Sequence, residues 1–291
     1  MSRGPFRLGL LGHPVGHSVS PAMHRAALAA CGYRGDYELI DVPPGALGSH
    51  LERLRGGRLD GLNVTVPHKG EAAGLCDLLT PAARLAGAVN TLVRAASGHV
   101  EGHNTDIAGL RAALAHAFPE TPWRGRPAAV LGAGGAGRAA VLAAIESGAA
   151  EVRVHNRTVA RAQALCSELG PHVGVALVVV AEEREAARGA ALILQATTRG
   201  MSCQVGGPAW SEAHDHALGV LAAAAPGAAV LDLVYRPRET PWVAAARASG
   251  LHADDGLEML VQQAAAAFAL WTGAHPDPSV MRAAAEAALV A

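Results

Sequence analysis

Short apolar runs and longer amphipathic stretches alternate along the whole chain. Phe6–Leu11 predicts a strand, and Ser20 reads as the cap of a helix that Pro21 can start. Tyr37–Val42 predicts a second strand, followed by helix to about Arg55. Gly61–Val66 predicts a third, with a helix opening at Pro67. Ala88–Arg94 and Gly98–Glu101 flank the turn Ala95-Ala96-Ser97. Helix follows from Asp106 to Phe118, then a linker from Pro119 to Arg126. A second series begins with strand Ala128–Leu131, helix Ala136–Ser147, strand Val152–His155 and helix Val159–Leu169. It continues with strands Gly174–Val180, Ala191–Gln195 and Ala229–Val234 and helix Trp242–Ala248. Leu257–Trp271 and Val280–Val290 read as closing helices. Strands alternating with helices imply an α/β fold, with parallel sheet covered by helices on both faces.

Composition narrows the class. The 291 residues fit two ordinary domains. A net charge of −1 and a pI near 6.9 give no field that would draw the chain to nucleic acid or an anionic membrane. Aromatic residues are only 3%, so the cores must be built from Leu, Val, Ile and Ala. Cys31, Cys76, Cys166 and Cys203 form no C-x-x-C pair, which points to a reducing, cytoplasmic setting rather than a disulfide framework or thiolate metal site. Phe6–Leu11 is too short for a signal segment, and the apolar stretch Leu218–Leu231 is broken by Pro226-Gly227, reading as helix end, turn and strand. There is no H-E-x-x-H among 14 histidines, and His13 and His17 stand in a Pro/Gly loop. No metal is expected.

One residue stands out against this background. Lys69, in Asn63-Val64-Thr65-Val66-Pro67-His68-Lys69, is the chain's only lysine among 24 basic residues. Arginine cannot give up its proton, whereas a desolvated lysine can shuttle one, so a retained lysine marks a candidate for proton transfer. A bias against lysine also leaves survivors by chance, and composition alone leaves a surface charge open. The four asparagines, Asn63, Asn90, Asn104 and Asn156, each lie in a short site-like run.

Gly132-Ala133-Gly134-Gly135-Ala136-Gly137 follows an apolar strand and opens an amphipathic helix, the setting of a dinucleotide-binding G-x-G-x-x-G loop. The next strand runs into Asn156-Arg157-Thr158, with Arg161 one turn on. An NAD site commonly places a carboxylate there; this strand end has none, and its two guanidiniums can flank a 2′-phosphate, which favours NADP. The competing reading is that Thr158 caps a helix and both arginines are solvated.

Taken together, these runs resemble the shikimate dehydrogenase family over nearly the whole length. The resemblance lies in Gly12-His13-Pro14-Val15-Gly16-His17-Ser18-Val19-Ser20-Pro21, Asn63 to Lys69, Gly87-Ala88-Val89-Asn90-Thr91 and Asn104-Thr105-Asp106. It continues in the glycine loop, Asn156-Arg157-Thr158, Asp232-Leu233-Val234-Tyr235 and Gly256 to Gln263. It implies a substrate domain of residues 1–106 and 255–291 and a Rossmann-type NADP domain of 107–254, with the active site in the cleft between them. It implies Lys69 and Asp106 as the catalytic pair, and Ser18, Ser20, Thr65, Asn90, Tyr235 and Gln263 as partners of the substrate. Leu233 and Gly256 would lie near the nicotinamide, and Gly132, Ala133, Gly134, Gly135, Ala136, Asn156, Arg157, Thr158 and Arg161 would hold the rest of NADP. Ser20 as a cap and Tyr235 as a strand end remain structural alternatives. The implied reaction is reversible reduction of 3-dehydroshikimate to shikimate by a monomer or homodimer. A quinate/shikimate dehydrogenase of broader range and a catalytically silent NADP sensor are the alternatives. Two positions depart from the family pattern: Ile107 stands where many relatives have glycine, implying a stiffer hinge, and Gln195 replaces a usual asparagine, leaving the loop after it open.

Overall fold

The computed structural model describes residues 5–121 and 123–290; Pro122 of the expected linker lies outside them, as do the first four residues and Ala291. The chain divides into two compact units, Met1–Gly109 with Leu260–Ala291, and Leu110–Met259.

The first unit contains β1 (Phe6–Gly12), α1 (Ser20–Ala30), β2 (Gly35–Asp41), α2 (Leu47–Arg55), β3 (Gly61–Val64), α3 (Lys69–Leu75), β4 (Leu78–Leu79), α4 (Pro81–Ala86), β5 (Thr91–Arg94) and β6 (Val100–His103). Helix α5 (Asp106–Ala117) starts here and carries the chain into the second unit. Its sheet has the order β2-β1-β3-β5-β6-β4. It is not all parallel, as the alternation had implied: β1 runs parallel to β2 and β3, but β3–β5 and β5–β6 are antiparallel. For β5–β6 the reason is the short turn in which Ala95 and His99 pair through their backbones, since a connection that brief can only reverse the chain. Strand β3 stops at Val64, two residues early. Pro67 offers no N–H, and a backbone turn from His68 to Thr65 leads into α3 at Lys69 instead of at Pro67.

The second unit contributes β7 (Pro127–Leu131), α6 (Gly135–Glu146), β8 (Glu151–His155), α7 (Val159–Leu169), β9 (Ala176–Val180), α8 (Glu183–Ala187), β10 (Leu192–Gln195), α9 (Pro208–Leu221), β11 (Ala229–Asp232), α10 (Pro241–Ala248) and β12 (His252–Asp254). Its sheet, β12-β11-β10-β7-β8-β9, is parallel throughout, as the sequence pattern predicts. Helix α11 (Leu257–Thr272) returns the chain to the first unit, where α12 (Pro278–Val290) packs against α1.

Each unit has its own core. In the first, Leu47, Leu51 and Leu54 recur on one face of α2 and meet Leu11, Leu62 and Leu92 of the sheet. Each such buried leucine contributes roughly 1.5–3 kcal/mol. In the second, the scarcity of aromatics is met by alanine: Ala129, Ala186, Ala190 and Ala245 close around Trp242. Among the described residues no helix is long and apolar enough to cross a membrane, and all four cysteines are free.

The aromatics of the first unit are concentrated around His24. Its ring stacks on Tyr37 with centroids 4.3 Å apart, and Trp271 and Phe268 lie beside it. The imidazole is fully buried and neither ring nitrogen has a hydrogen-bond partner. Burial holds its pKa down to about 3. A group whose folded pKa lies below its unfolded value takes up its proton on unfolding. Its stabilising contribution is therefore present above pH 6.5 and is lost as pH falls toward 3, by at most about 1.4 kcal/mol per pH unit. Asp232 and Asp255, pushed up by burial to about 7 and about 6, act in the opposite sense, but they titrate alike in a His24 variant. The melting temperature of the wild type should therefore fall more steeply than that of His24→Phe as pH is lowered from about 7 toward 4.5. Parallel profiles would show that His24 is not the responsible group.

Candidate active site

In the first unit, three elements converge on Asp106. Lys69, the first residue of α3, places Nζ 2.6 Å from Asp106 Oδ2. Asn90, just before β5, donates from Nδ2 to Asp106 Oδ1 at 2.9 Å. Asp106 itself begins α5, where the positive end of the helix favours a carboxylate. Asn104 caps that helix, accepting from the Ile107 N–H at 3.3 Å and donating to the Ala88 carbonyl at 2.9 Å. Lys69 is anchored through its own backbone, whose carbonyl accepts from Val89 N–H. His68, buried beside it, donates from Nε2 to the Val42 carbonyl. The carboxylate is 4% exposed and the ammonium 13%, so each needs the other: removing one partner leaves an uncompensated buried charge.

Of the predicted substrate partners, Gln263 joins this group, its Oε1 accepting from Asn90 Nδ2 at 3.3 Å while its own amide donates to the Leu260 carbonyl. Ser18 and Ser20 face each other, with their hydroxyls 3.1 Å apart. Ser20 is not the cap of α1. It is the first helical residue, and Ser18 Oγ accepts from its N–H at 3.2 Å, which leaves the Ser20 hydroxyl out of the capping. Thr65 sits just past β3, half-buried, its N–H bonded to the Leu11 carbonyl.

The second unit carries the glycine loop. Gly132 has φ +116, a conformation that side chains rarely adopt, where the chain leaves β7. A Cβ at Gly137 would stand 2.0 Å from the Gly132 carbonyl, so α6 packs against the loop only because that Cβ is missing. A Cβ at Gly134 would meet open space. That glycine serves nothing inside the chain and leaves room for a ligand beside the free N–H groups that open α6. Asn156 braces the loop, accepting from Ala133 N–H at 3.0 Å and donating to the Thr158 carbonyl at 2.9 Å. Its amide shapes the cradle rather than pointing out of it. Arg157, Thr158 and Arg161 are exposed, and neither guanidinium has an acidic partner among the described residues. Thr158 occupies the cap position of α7 without making a side-chain cap bond. Further along the sheet, Leu233 and Tyr235 follow β11, both half-buried, and Gly256 packs so closely that a Cβ would meet the Leu233 carbonyl at 2.2 Å.

A lysine–carboxylate pair with amide and hydroxyl donors, in a chain that also carries a dinucleotide cradle, fits alcohol–carbonyl interconversion. Comparison with known proteins agrees. Residues 10–92 match the family model for the shikimate dehydrogenase substrate binding domain, residues 114–201 that for shikimate / quinate 5-dehydrogenase, and residues 256–286 that for the shikimate 5′-dehydrogenase C-terminal domain. The shikimate dehydrogenase (NADP(+)) of Methylobacterium radiotolerans is 44% identical over 281 residues, 95% of this chain and 94% of that protein. The chain belongs to the shikimate dehydrogenase family. Among solved structures, the Thermus thermophilus enzyme in complex with NADP(H) and shikimate superposes with a TM-score of 0.81 at 41% identity, covering 98% of this chain and all of that one. The quinate dehydrogenase of Corynebacterium glutamicum in complex with NAD gives 0.82 at 34% identity, covering 96% and 98%.

Several residues of the site were not foreseen from sequence. Thr91 and Thr105 bond to Asn90 inside the first unit. Gln195, a departure from the family pattern, is buried; its Oε1 accepts from Thr197 N–H at 2.6 Å and its amide faces Asp232 at 3.3 Å, which closes the loop after β10. Ile107, the other departure, is buried. The strand end of β8 has no acid of its own, but parallel pairing sets His155 beside Val180, so Glu183 just beyond β9 comes near. Glu183 pairs with His216 at 2.5 Å and lies 3.7–3.8 Å from Arg199 and His155, so its charge is compensated. No sequence motif signalled that cluster. Among the described residues no group of His, Cys, Asp and Glu is arranged to hold a metal ion.

The two glycines of the loop should separate by thermal melting. Gly137→Ala forces its Cβ into the Gly132 carbonyl and should lower the melting temperature by several degrees, as overpacking against backbone costs about 1–3 kcal/mol. Gly134→Ala should melt within a degree or so of wild type or slightly higher. Equal losses would contradict this assignment of their roles.

Proposed function

We propose that this protein catalyses the reversible, NADP-dependent reduction of 3-dehydroshikimate to shikimate. The observation that carries the reading is the buried Lys69–Asp106 pair in a chain of this family, at the positions the family resemblance gives to the proton-transfer groups. Residues 1–109 and 260–291 would serve as the substrate domain and 110–259 as the NADP domain. The protein would work in the cytoplasm, with free cysteines suited to a reducing compartment, as a monomer or homodimer.

NADP, when bound, exchanges a hydride with the ring carbon. The cradle fits it: the space beside Gly134, the N–H groups that open α6, and Arg157 and Arg161 for the 2′-phosphate, with Thr158 beside them. Lys69 handles the proton. In the reducing direction its ammonium delivers one to the oxygen as that oxygen gains negative charge, and in the oxidising direction the amine removes it. Asp106 holds the nitrogen in place and accepts a hydrogen bond from the substrate hydroxyl. Ser18 and Ser20 would receive the carboxylate, with Thr65, Asn90, Gln263 and Tyr235 addressing the remaining polar groups. Leu233 and Gly256 would border the nicotinamide.

Initial rates with shikimate or quinate against NADP or NAD test this directly. Quinate carries an extra hydroxyl on a tetrahedral carbon beside its carboxylate, and the closely spaced serines leave little room for it. Shikimate should be preferred by at least about tenfold in kcat/KM. Equal efficiency on both would favour a quinate/shikimate dehydrogenase, and no turnover on either would favour a cofactor-binding sensor. Lys69→Met should lower turnover by on the order of 10²–10⁴, with a smaller change in shikimate affinity, and Asp106→Asn should be similarly damaging. Near-normal turnover in Lys69→Met would remove the proton-transfer assignment.

The cofactor edge gives an independent check. NADP should be favoured over NAD by roughly 10- to 100-fold, and the preference should weaken as salt rises because both arginines are exposed. Arg157→Ala should raise KM for NADP and leave KM for NAD nearly unchanged. Equal weakening of both would mean that Arg157 serves the fold or the shared part of the dinucleotide.

A further inference from the structure

Behind Asp106, a run of buried hydrogen bonds extends through the first unit. Tyr37 donates from its hydroxyl to Asn63 Oδ1 at 2.8 Å. Asn63 Nδ2 donates to Thr91 Oγ1 at 3.1 Å, across the paired strands β3 and β5, where the two residues stand opposite each other. Thr91 donates to Asn90 Oδ1 at 3.2 Å, and Asn90 Nδ2 donates to Asp106 Oδ1 at 2.9 Å. All five residues are buried.

The direction of this chain is fixed by groups that can play only one role. Ionised Asp106 only accepts, so the Asn90 amide nitrogen must face it, which it does while also donating to Thr105 Oγ1 at 2.8 Å; the Asn90 oxygen faces the Thr105 N–H at 2.7 Å and the Thr91 hydroxyl at 3.2 Å. The backbone carbonyl of Asn90 also only accepts, and Asn63 Nδ2 donates to it at 3.1 Å. That fixes the Asn63 amide nitrogen on this side and leaves its oxygen toward Tyr37, which must donate. Thr91, reached by Asn63 Nδ2, donates to Asn90 Oδ1 at 3.2 Å, with the Thr105 hydroxyl beside it at the same distance. Every link points toward the carboxylate, the arrangement in which successive hydrogen bonds polarise one another. The far end is held too. The Tyr37 ring stacks on His24, burial pushes the phenol pKa up so that it remains a donor, and the Ser20 hydroxyl lies beside it.

We propose that Tyr37, Asn63 and Thr91 are positioning residues for the Lys69–Asp106 pair. Together with the Thr105 N–H, which donates to Asn90 Oδ1 at 2.7 Å, they hold Asn90 in the one amide orientation that donates to Asp106, and they join that pair to the serine end of the substrate site. Flipping Asn90 would turn its oxygen toward the carboxylate and push Asp106 away from Lys69. This rests on the dehydrogenase reading.

The test compares Thr91→Val, Thr91→Ser, Tyr37→Phe and the double variant Tyr37→Phe/Thr91→Val in shikimate-dependent NADP reduction. Each keeps a side chain of nearly the same shape, and Thr91→Ser restores the hydroxyl. Thr91→Val should lower kcat and kcat/KM together by about tenfold or more, the pattern of an interaction lost in the transition state, with KM for NADP within about twofold. Tyr37→Phe should lose roughly three- to tenfold, Thr91→Ser should stay within about twofold of wild type, and the double variant should be hardly worse than Thr91→Val, since a chain broken once loses little on being broken again. Unchanged kcat in Tyr37→Phe and Thr91→Val, a serine variant as impaired as the valine one, or losses that multiply in the double variant would each overturn the proposal. If Thr91→Val does not fold, Tyr37→Phe alone decides it by the same kcat criterion. These results, with wild type active and Lys69→Met inactive, would leave the dehydrogenase reading standing. An inactive wild type would overturn both.

Discussion

The constraint on which the first unit turns is a buried carboxylate that must never lack partners. Asp106 sits almost entirely out of water, and an isolated carboxylate there would be costly by several kcal/mol. Lys69 on one oxygen and Asn90 on the other meet that need. Each partner comes from a different element, so satisfying the charge fixes the start of α3, the entry to β5 and the start of α5 relative to one another. The hydrogen bonds of Asn104 and the Lys69 carbonyl close the same junction through the backbone. A lysine held this tightly costs stability in other settings; in the proposed function it is the proton carrier.

The second unit solves a different problem with the same economy of side chains. A cradle for phosphates needs backbone N–H groups, not bulk, and the loop after β7 has the form proposed for one, with side chains omitted. Gly132 takes a conformation that others avoid, Gly137 admits the helix, and Asn156 ties the loop to the next strand end. Alanine packing around Trp242 brings helices close to the parallel sheet. This explains how a chain with so few aromatics still buries its strands.

Much of this was legible in the sequence, for reasons that differ by element. The parallel sheet of the second unit could be read because β7, β9, β10 and β11 are apolar runs and because the first strands, Ala128–Leu131 and Val152–His155, are each followed by an amphipathic helix. The glycine loop could be read because backbone approach imposes a residue type at fixed spacing. The rarity of lysine and asparagine singled out Lys69, Asn63, Asn90, Asn104 and Asn156, and the structure gives every one of them a polar partner inside the fold. The turn Ala95-Ala96-Ser97 between two strands marked the β5–β6 reversal, but the antiparallel pairing of β3 with β5 was missed, since a strand's direction depends on its connection rather than on its own pattern. The short elements β4, α4, α8 and β12 were missed because so few residues show no period. Thr91 and Thr105 stood in the quoted runs but drew no role, because their shared contact depends on the register of β5 and β6, and the cluster around Glu183 gave no signal because its members are distant in sequence. Ser20 was read as a cap because its neighbour Pro21 marks a helix start; the structure shifts that start by one residue and hands the N–H to Ser18.

In the proposed reaction Lys69 and Asp106 work on one substrate hydroxyl while the two serines hold the other end. A crystal structure of this protein with shikimate and oxidised NADP bound would test it most directly. One ring hydroxyl should lie within about 3 Å of both Lys69 Nζ and an Asp106 oxygen, with the carboxylate on Ser18 and Ser20. Shikimate bound in the reverse orientation, with its carboxylate on Lys69, or seated away from the pair altogether, would contradict it.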